Sequence, residues 1–300
     1  MKNNMSITEF YRRFPDDAAC ETFIIAERWD GEPVCPHCAN RKSYRVAGGM
    51  GFKCSQCRKR FSVKTGTVME GSKIPLQTWL LAILLLTTAR KGISSIQFAK
   101  ELGVTQKTAW FLSHRIREAC KSDRSLLSGE IEIDETYIGG KEKNKHFSKK
   151  SNGGRGTVGK QPVVGLRERG GPVRAETIGA TDTKTLHNIV KKHVQIQSHI
   201  FTDEHAGYRG LSDYSHTAVC HSAGEYVRGT ASTNGIESFW ALLKRGYYGT
   251  HHWWSRKHLN RYVSEFAYRQ NTIGLAGELA LAALVRGAQG KRLTYTTLIA

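Results

Sequence analysis

The chain has 300 residues, of which 39% are hydrophobic and 24% charged, a balance that excludes a disordered polypeptide and leaves room for two or three domains. Its 45 Lys and Arg stand against 26 Asp and Glu, and the resulting +19 favours a polyanionic partner over a merely soluble basic surface. The longest apolar run, Trp79 to Leu86, is too short to span a bilayer. No basic stretch followed by an apolar core opens the chain, so a cytoplasmic protein is expected.

Residues 1–72 read as a first domain. A helical lead-in is expected from Ser6 to Cys20, with Thr8 as its cap. Two knuckles follow, Cys35-Pro-His-Cys38 and Cys54-Ser-Gln-Cys57. Four thiolates in two i, i+3 pairs offer one zinc ion a closed tetrahedral cage, and the spacer lets two hairpin knuckles face each other. Short strands are expected at Ser43–Val46, Gly51–Lys53 and Phe61–Val63. Two disulfides are the competing reading; seven cysteines and a reducing compartment weigh against it. From Cys38 to Lys73 there are nine Lys or Arg and one acid. A ribbon this basic suits DNA, with Arg58, Lys59 and Arg60 as phosphate contacts.

Residues 73–128 turn helical. Trp79 to Leu86 is expected as a buried helix, with Pro75 near its start. Ala99, Gly103 and Val104 then fall where a helix-turn-helix needs a small residue, a turn glycine and an apolar plug. Thr105 is expected to cap a second helix running to about Cys120. That helix carries Lys107, His114, Arg115 and Arg117, and Lys107 and Arg115 are the predicted DNA contacts. A plain helical hairpin between two domains is the alternative.

From 129 to 272 the order is strand, strand, strand, helix, strand, strand, helix, an α/β arrangement with mixed pairing. The strands are expected at Glu130 onward, Gln161–Arg167, Val173–Ile178, His199–Asp203 and near Thr217–His221. A helix from Thr183, capped by Asp182, lies between the third and fourth, and a long helix starts near Thr233. Between the first two strands, Lys141 to Lys160 carries seven basic residues and one acid and reads as a flexible basic loop. Residues 273–300 are left as a C-terminal helix and tail.

Asp134 closes the first of these strands in this reading, Asp203 closes the fourth, and Glu237 lies one turn into the long helix. If the first and fourth strands are neighbours, the aspartates share an edge and the helix brings Glu237 over it. Three carboxylates together are costly unless cations neutralise them, and oxygen-only ligands suit magnesium or manganese. Two such ions about 4 Å apart activate a water or a 3′-hydroxyl and stabilise a leaving oxygen. Glu132 shares Asp134's face, as a supporting or a solvated group, whereas Glu135 points to the other face. Glu204 reads as a loop acid. Lys244 and Arg245 belong to an acid-free stretch that tracks DNA backbone, with Trp253 and Trp254 divided between base stacking and core. Cys20, Cys120 and Cys220 read as buried thiols.

At these residues the sequence resembles a known family. Glu132-Ile-Asp-Glu-Thr-Tyr-Ile-Gly-Gly-Lys141, Thr202-Asp-Glu-His-Ala-Gly-Tyr208, Asn234-Gly-Ile-Glu-Ser-Phe-Trp240 and Leu243-Lys-Arg-Gly-Tyr-Tyr-Gly-Thr-His-His252 are similar to blocks of ISXO-type insertion-sequence transposases. The resemblance implies a ribonuclease H-like core behind a zinc ribbon and a helical DNA-binding segment. It implies Asp134, Asp203 and Glu237 as the catalytic metal-binding triad, with Asn234 as a sharer of the third role. It further implies binding to terminal inverted repeats, metal-dependent cleavage and strand transfer to target DNA, and a dimer or larger assembly of a bacterial, nucleoid-associated protein. A repurposed DNA-binding regulator and a nuclease without strand transfer are the alternatives.

Overall fold

The structure is a computed structural model that describes residues 5–121, 125–140, 142–150, 156–203, 205–219 and 232–300. It divides into two compact units, residues 1–121 with 272–300, and residues 122–271.

In the first unit the lead-in is two helices, α1 (Ile7–Arg13) and α2 (Asp17–Trp29). Pro15 lies between them, where a proline disfavours helical backbone in the residue before it. The cap of α1 is Ser6 rather than Thr8, and with Glu9 it forms a reciprocal capping box. Asp16 caps α2. Phe10, Phe14 and Phe23 form the packed centre of this pair. The ribbon strands are β1 (Ser43–Arg45), β2 (Phe52–Cys54) and β3 (Arg60–Phe61), an antiparallel sheet in sequence order.

Helix α3 (Leu76–Thr88) contains no charged residue, and most of its side chains are buried. Its cap, Pro75, offers no side-chain acceptor, so the Asp17 carboxylate accepts from the Leu76 and Gln77 amides at 3.1 and 2.9 Å. Helices α4 (Ser95–Leu102) and α5 (Gln106–Ala119) are joined by a short turn at Gly103. Gly103 adopts φ +64°, the left-handed conformation that glycine takes at a helix end, and Thr105 accepts from the Thr108 amide.

The second unit is built on one five-stranded sheet. Its strands are β4 (Glu130–Ile138), β5 (Gln161–Glu168), β6 (Val173–Thr177), β7 (His199–Thr202) and β8 (Ser215–Ala218), in the order β6-β5-β4-β7-β8. The β4–β5 and β5–β6 pairs are antiparallel, whereas β4–β7 and β7–β8 are parallel. Helix α6 (Thr183–His193), capped by Asp182, covers one face, where Ile131, Ile133, Leu166, Leu186, Val190 and Ile200 pack. Helices α7 (Asn234–Gly246) and α8 (Arg256–Thr272) cover the other through Ile236, Phe239, Trp240, Leu243, Val263 and Phe266. The chain then re-enters the first unit, where α9 (Gly277–Gly287) packs against α2 and α3 and the short α10 (Tyr295–Ile299) closes it. No helix among the described residues is long and apolar enough to cross a membrane.

Candidate active site

The four cysteines converge as their spacing predicts. Cys35 and Cys57 Sγ lie 3.6 Å apart, as do Cys38 and Cys54 Sγ. A disulfide has its sulfurs near 2.0 Å, whereas thiolates about 2.3 Å from one zinc ion lie close to the observed separation. Ala39 and Arg58, each following the second cysteine of a knuckle, both adopt φ +60°, so the two knuckles turn alike. Burial raises the Cys54 thiol, but backbone amides of Cys57 and Gln56 and the Asn40 side chain outweigh it and hold the group at about 6. Arg58, Lys59 and Arg60 all stand exposed beside this site.

The helix-turn-helix requires a correction. Lys107 is exposed in the first turn of α5, but Arg115 is buried and donates to the Glu70 carbonyl, with its guanidinium 5.1 Å from the Trp79 ring. Burial lowers its pKa to about 10. His114 and Arg117 are buried as well. Only the N-terminal turn of α5 is open to a groove, because the rest of this helix is core. Arg115 is therefore a packing residue.

In the second unit the parallel register pairs Glu132 with Phe201; carried two residues further, it sets Asp203 beside Asp134. Asp134 does not close its strand as predicted: β4 continues to Ile138 on the hydrogen bonds of β5, while β7 stops at Thr202. Asp134 is paired on both sides. Its Oδ1 accepts from the Glu135 amide at 2.8 Å and its Oδ2 from the Trp240 indole at 2.9 Å. Burial, with the Asp203 and Glu237 charges adding to it, raises its carboxyl to about 6. Asp203 Oδ1 accepts from the His205 amide at 3.0 Å.

Glu135 was expected on the opposite face. Its side chain starts there, but β7 ends at Thr202, and among the described residues no strand flanks β4 on that side beside Glu135. One oxygen each from Asp134, Glu135 and Asp203 lie within 4.8 Å of one another. The Tyr208 hydroxyl donates to Glu135, and burial raises that carboxyl to about 7. Such a set suits a hard divalent cation.

Glu237 stands exposed on the first turn of α7, accepting from Thr233 Oγ1 at 2.8 Å, close enough to Asp134 for its charge to act there. Asn234, one turn earlier, is also exposed. Gly165, opposite Asp134 on β5, lets α7 lie close: a Cβ there would meet Trp240 carbon at 2.6 Å. Lys244 and Arg245 are exposed on the last turn of α7. Trp254 is core, stacked on Tyr262 at 4.7 Å, whereas Trp253 is 67% exposed. Cys20 and Cys120 are buried; Cys220 and Glu204 lie outside the described residues.

A sheet of this order, three antiparallel strands continued by two parallel ones, with Asp134 on the first strand beside Asp203, the residue just past the fourth, defines a ribonuclease H-like enzyme of the DDE class. Residues 126–271 match the ISXO2-like transposase domain and residues 15–60 the transposase zinc-ribbon domain. An uncharacterized protein in transposable element ISH50 of Halobacterium salinarum is 29% identical over 294 residues, 92% of this chain and 98% of that one. Among solved structures, the Mos1 strand transfer complex matches with a TM-score of 0.29 at 12% identity, over 70% of this chain and 78% of that one. The simian T-cell lymphotropic virus intasome, solved with the PP2A regulatory subunit B56 gamma, matches with a TM-score of 0.27 at 15% identity, over 59% and 61%. Residues 126–271 are thus an ISXO2-like transposase domain and residues 15–60 a transposase zinc ribbon, the two parts of an insertion-sequence transposase.

Proposed function

We propose that this transposase binds the terminal inverted repeats of its element, cleaves there and joins the freed 3′-hydroxyl to target DNA. In this reading Asp134 and Asp203 hold the divalent ions, magnesium or manganese. Glu237 completes the set and Asn234 shares its role. Bound there, two such ions would activate the attacking oxygen and stabilise the leaving one. The observation that carries the reading is the juxtaposition of Asp134 and Asp203 at the end of the parallel β4–β7 pair, where burial and the neighbouring charges make an ionised Asp134 costly until a cation arrives.

The chain's own residues supply position and charge. The Trp240 indole and the Glu135 amide orient Asp134, and the Tyr208 hydroxyl restrains Glu135. Exposed Arg58, Lys59, Arg60, Lys107, Lys244 and Arg245 provide phosphate contacts that fix register and make affinity salt-dependent. Joining two element ends calls for two such sites, hence a homodimer or larger assembly on the DNA of a bacterial nucleoid. The test is a labelled duplex carrying the terminal repeat, incubated with magnesium or manganese beside the Asp203→Asn variant. Nicking at the repeat end, lost in the variant while binding persists, is the expected result. Binding without nicking under either metal would overturn the reading and leave a DNA-binding regulator.

A further inference from the structure

Helix α7 begins with an irregular cap. Thr233 occupies the cap position, yet its hydroxyl does not reach the first-turn amides. It donates instead to Glu237. An uncapped first turn leaves backbone donors without partners. Here the missing acceptor comes from another element. Glu132 of β4, only 5% exposed, accepts from the Ile236 amide at 2.9 Å through Oε2. Its Oε1 accepts from Arg169 Nε at 3.3 Å, and Arg169 Nη2 donates to the Ser232 carbonyl at 3.1 Å. Arg167 Nη1 donates to the Gly235 carbonyl. The fit is tight enough that a Cβ on Gly235 would lie 2.5 Å from Glu132 Oε2.

Four residues further along α7, Trp240 donates to Asp134, two residues beyond Glu132 on the same strand face. Two strand residues span about 6.6 Å. Four helical residues rise about 6 Å. One straight helix therefore meets both contacts, and a slip along the strand breaks both. We propose that Glu132 and Trp240 are positioning residues, a two-point lock that sets the register of α7 on β4 and so delivers Glu237 to the acids. This rests on the reading of Glu237 as part of the metal-binding set.

The test is a double-mutant cycle between Glu132→Ala and Glu237→Ala in the full chain, read by nicking rate, by affinity for Mn²⁺ and by affinity for repeat DNA. Glu132→Ala is expected to slow nicking about 100-fold, the scale of a 1 Å misplacement, and to weaken Mn²⁺ binding with DNA affinity unchanged. Glu132→Gln should recover most of the loss, because its amide oxygen still accepts from Ile236. With Glu237→Ala already present, Glu132→Ala should change Mn²⁺ affinity by no more than about twofold. Wild-type nicking by Glu132→Ala would overturn the lock, as would a loss of Mn²⁺ affinity equally large with and without Glu237. If even the wild type fails to nick, the Mn²⁺ cycle still decides: coupling upholds the lock while the cleavage reading fails, and independence overturns it. Should Glu132→Ala not fold, Trp240→Phe, which keeps the ring and removes the N–H, carries the same cycle with the same criteria.

Discussion

Replacing Asp134 by Asn should stabilise the protein when divalent ions are withheld from the acids and abolish its gain from them. Burial first, then Asp203 and Glu237, lift Asp134 from an ordinary 3.8 to about 6. That is about two pH units, or roughly 3 kcal/mol of penalty on the ionised fold at neutral pH. The sign follows from the direction: a carboxyl raised in the folded state binds more protons than in the unfolded chain. The penalty is therefore full above pH 6 and fades as pH falls toward 4. Asn removes the charge but offers one oxygen where Asp134 uses two, for the Glu135 amide and the Trp240 indole, at a cost of about 1 kcal/mol. The net expectation is a variant more stable by about 2 kcal/mol at pH 7.5, an advantage gone by pH 4. Urea unfolding in buffer holding only stoichiometric zinc reads this directly. Adding Mn²⁺ at about 100 times its dissociation constant should stabilise the wild type by about 2.7 kcal/mol and the variant far less, reversing their order. A variant less stable than the wild type without Mn²⁺, or equal gains from Mn²⁺ in both, would refute the reasoning.

Cys38→Ser removes one of four thiolates, so measured zinc content should fall from one ion per chain toward none, and the ribbon's share of DNA affinity should go with it. Lys107→Ala should weaken DNA binding and reduce the salt slope by about one, read by affinity across a salt series. Arg115→Ala should instead lower the unfolding midpoint, at a cost of about 3 kcal/mol, through lost packing and an unpaired Glu70 carbonyl. Gly165→Ala places carbon where Trp240 lies, and should cost about 1–3 kcal/mol and slow nicking while repeat binding persists.

Local chemistry was legible in the sequence wherever it alone sets the outcome. Two knuckles bring four sulfurs together, and Ala99, Gly103 and Val104 make a turn between helices, because neighbouring residues suffice for each. Alternation along Glu130–Ile138 gave the faces of β4, and Asp134 met Asp203 once β4 and β7 proved to be neighbours. What escaped depends on partners remote in the chain. A basic helix face reads as DNA-facing, but α3 and α9 pack on α5 and enclose His114, Arg115 and Arg117. Glu135 was placed on the far face by period two, a rule that presumes a flanking strand, and β7 ends just short of it. The lead-in is read as one helix from Ser6 to Cys20 although Pro15 interrupts it, whereas Glu132's role as a cap for α7 lies across more than a hundred residues of sequence.

The central claim is that Asp134 of β4 and Asp203, just past β7, act on a scissile phosphodiester through divalent ions. The most direct measurement is nicking of a repeat-end duplex in which a single sulfur replaces a non-bridging oxygen of the scissile phosphate. Sulfur binds magnesium poorly and manganese better. The account predicts that nicking is lost in magnesium and restored by manganese; nicking indifferent to the sulfur in magnesium, or a loss that manganese does not relieve, would contradict it.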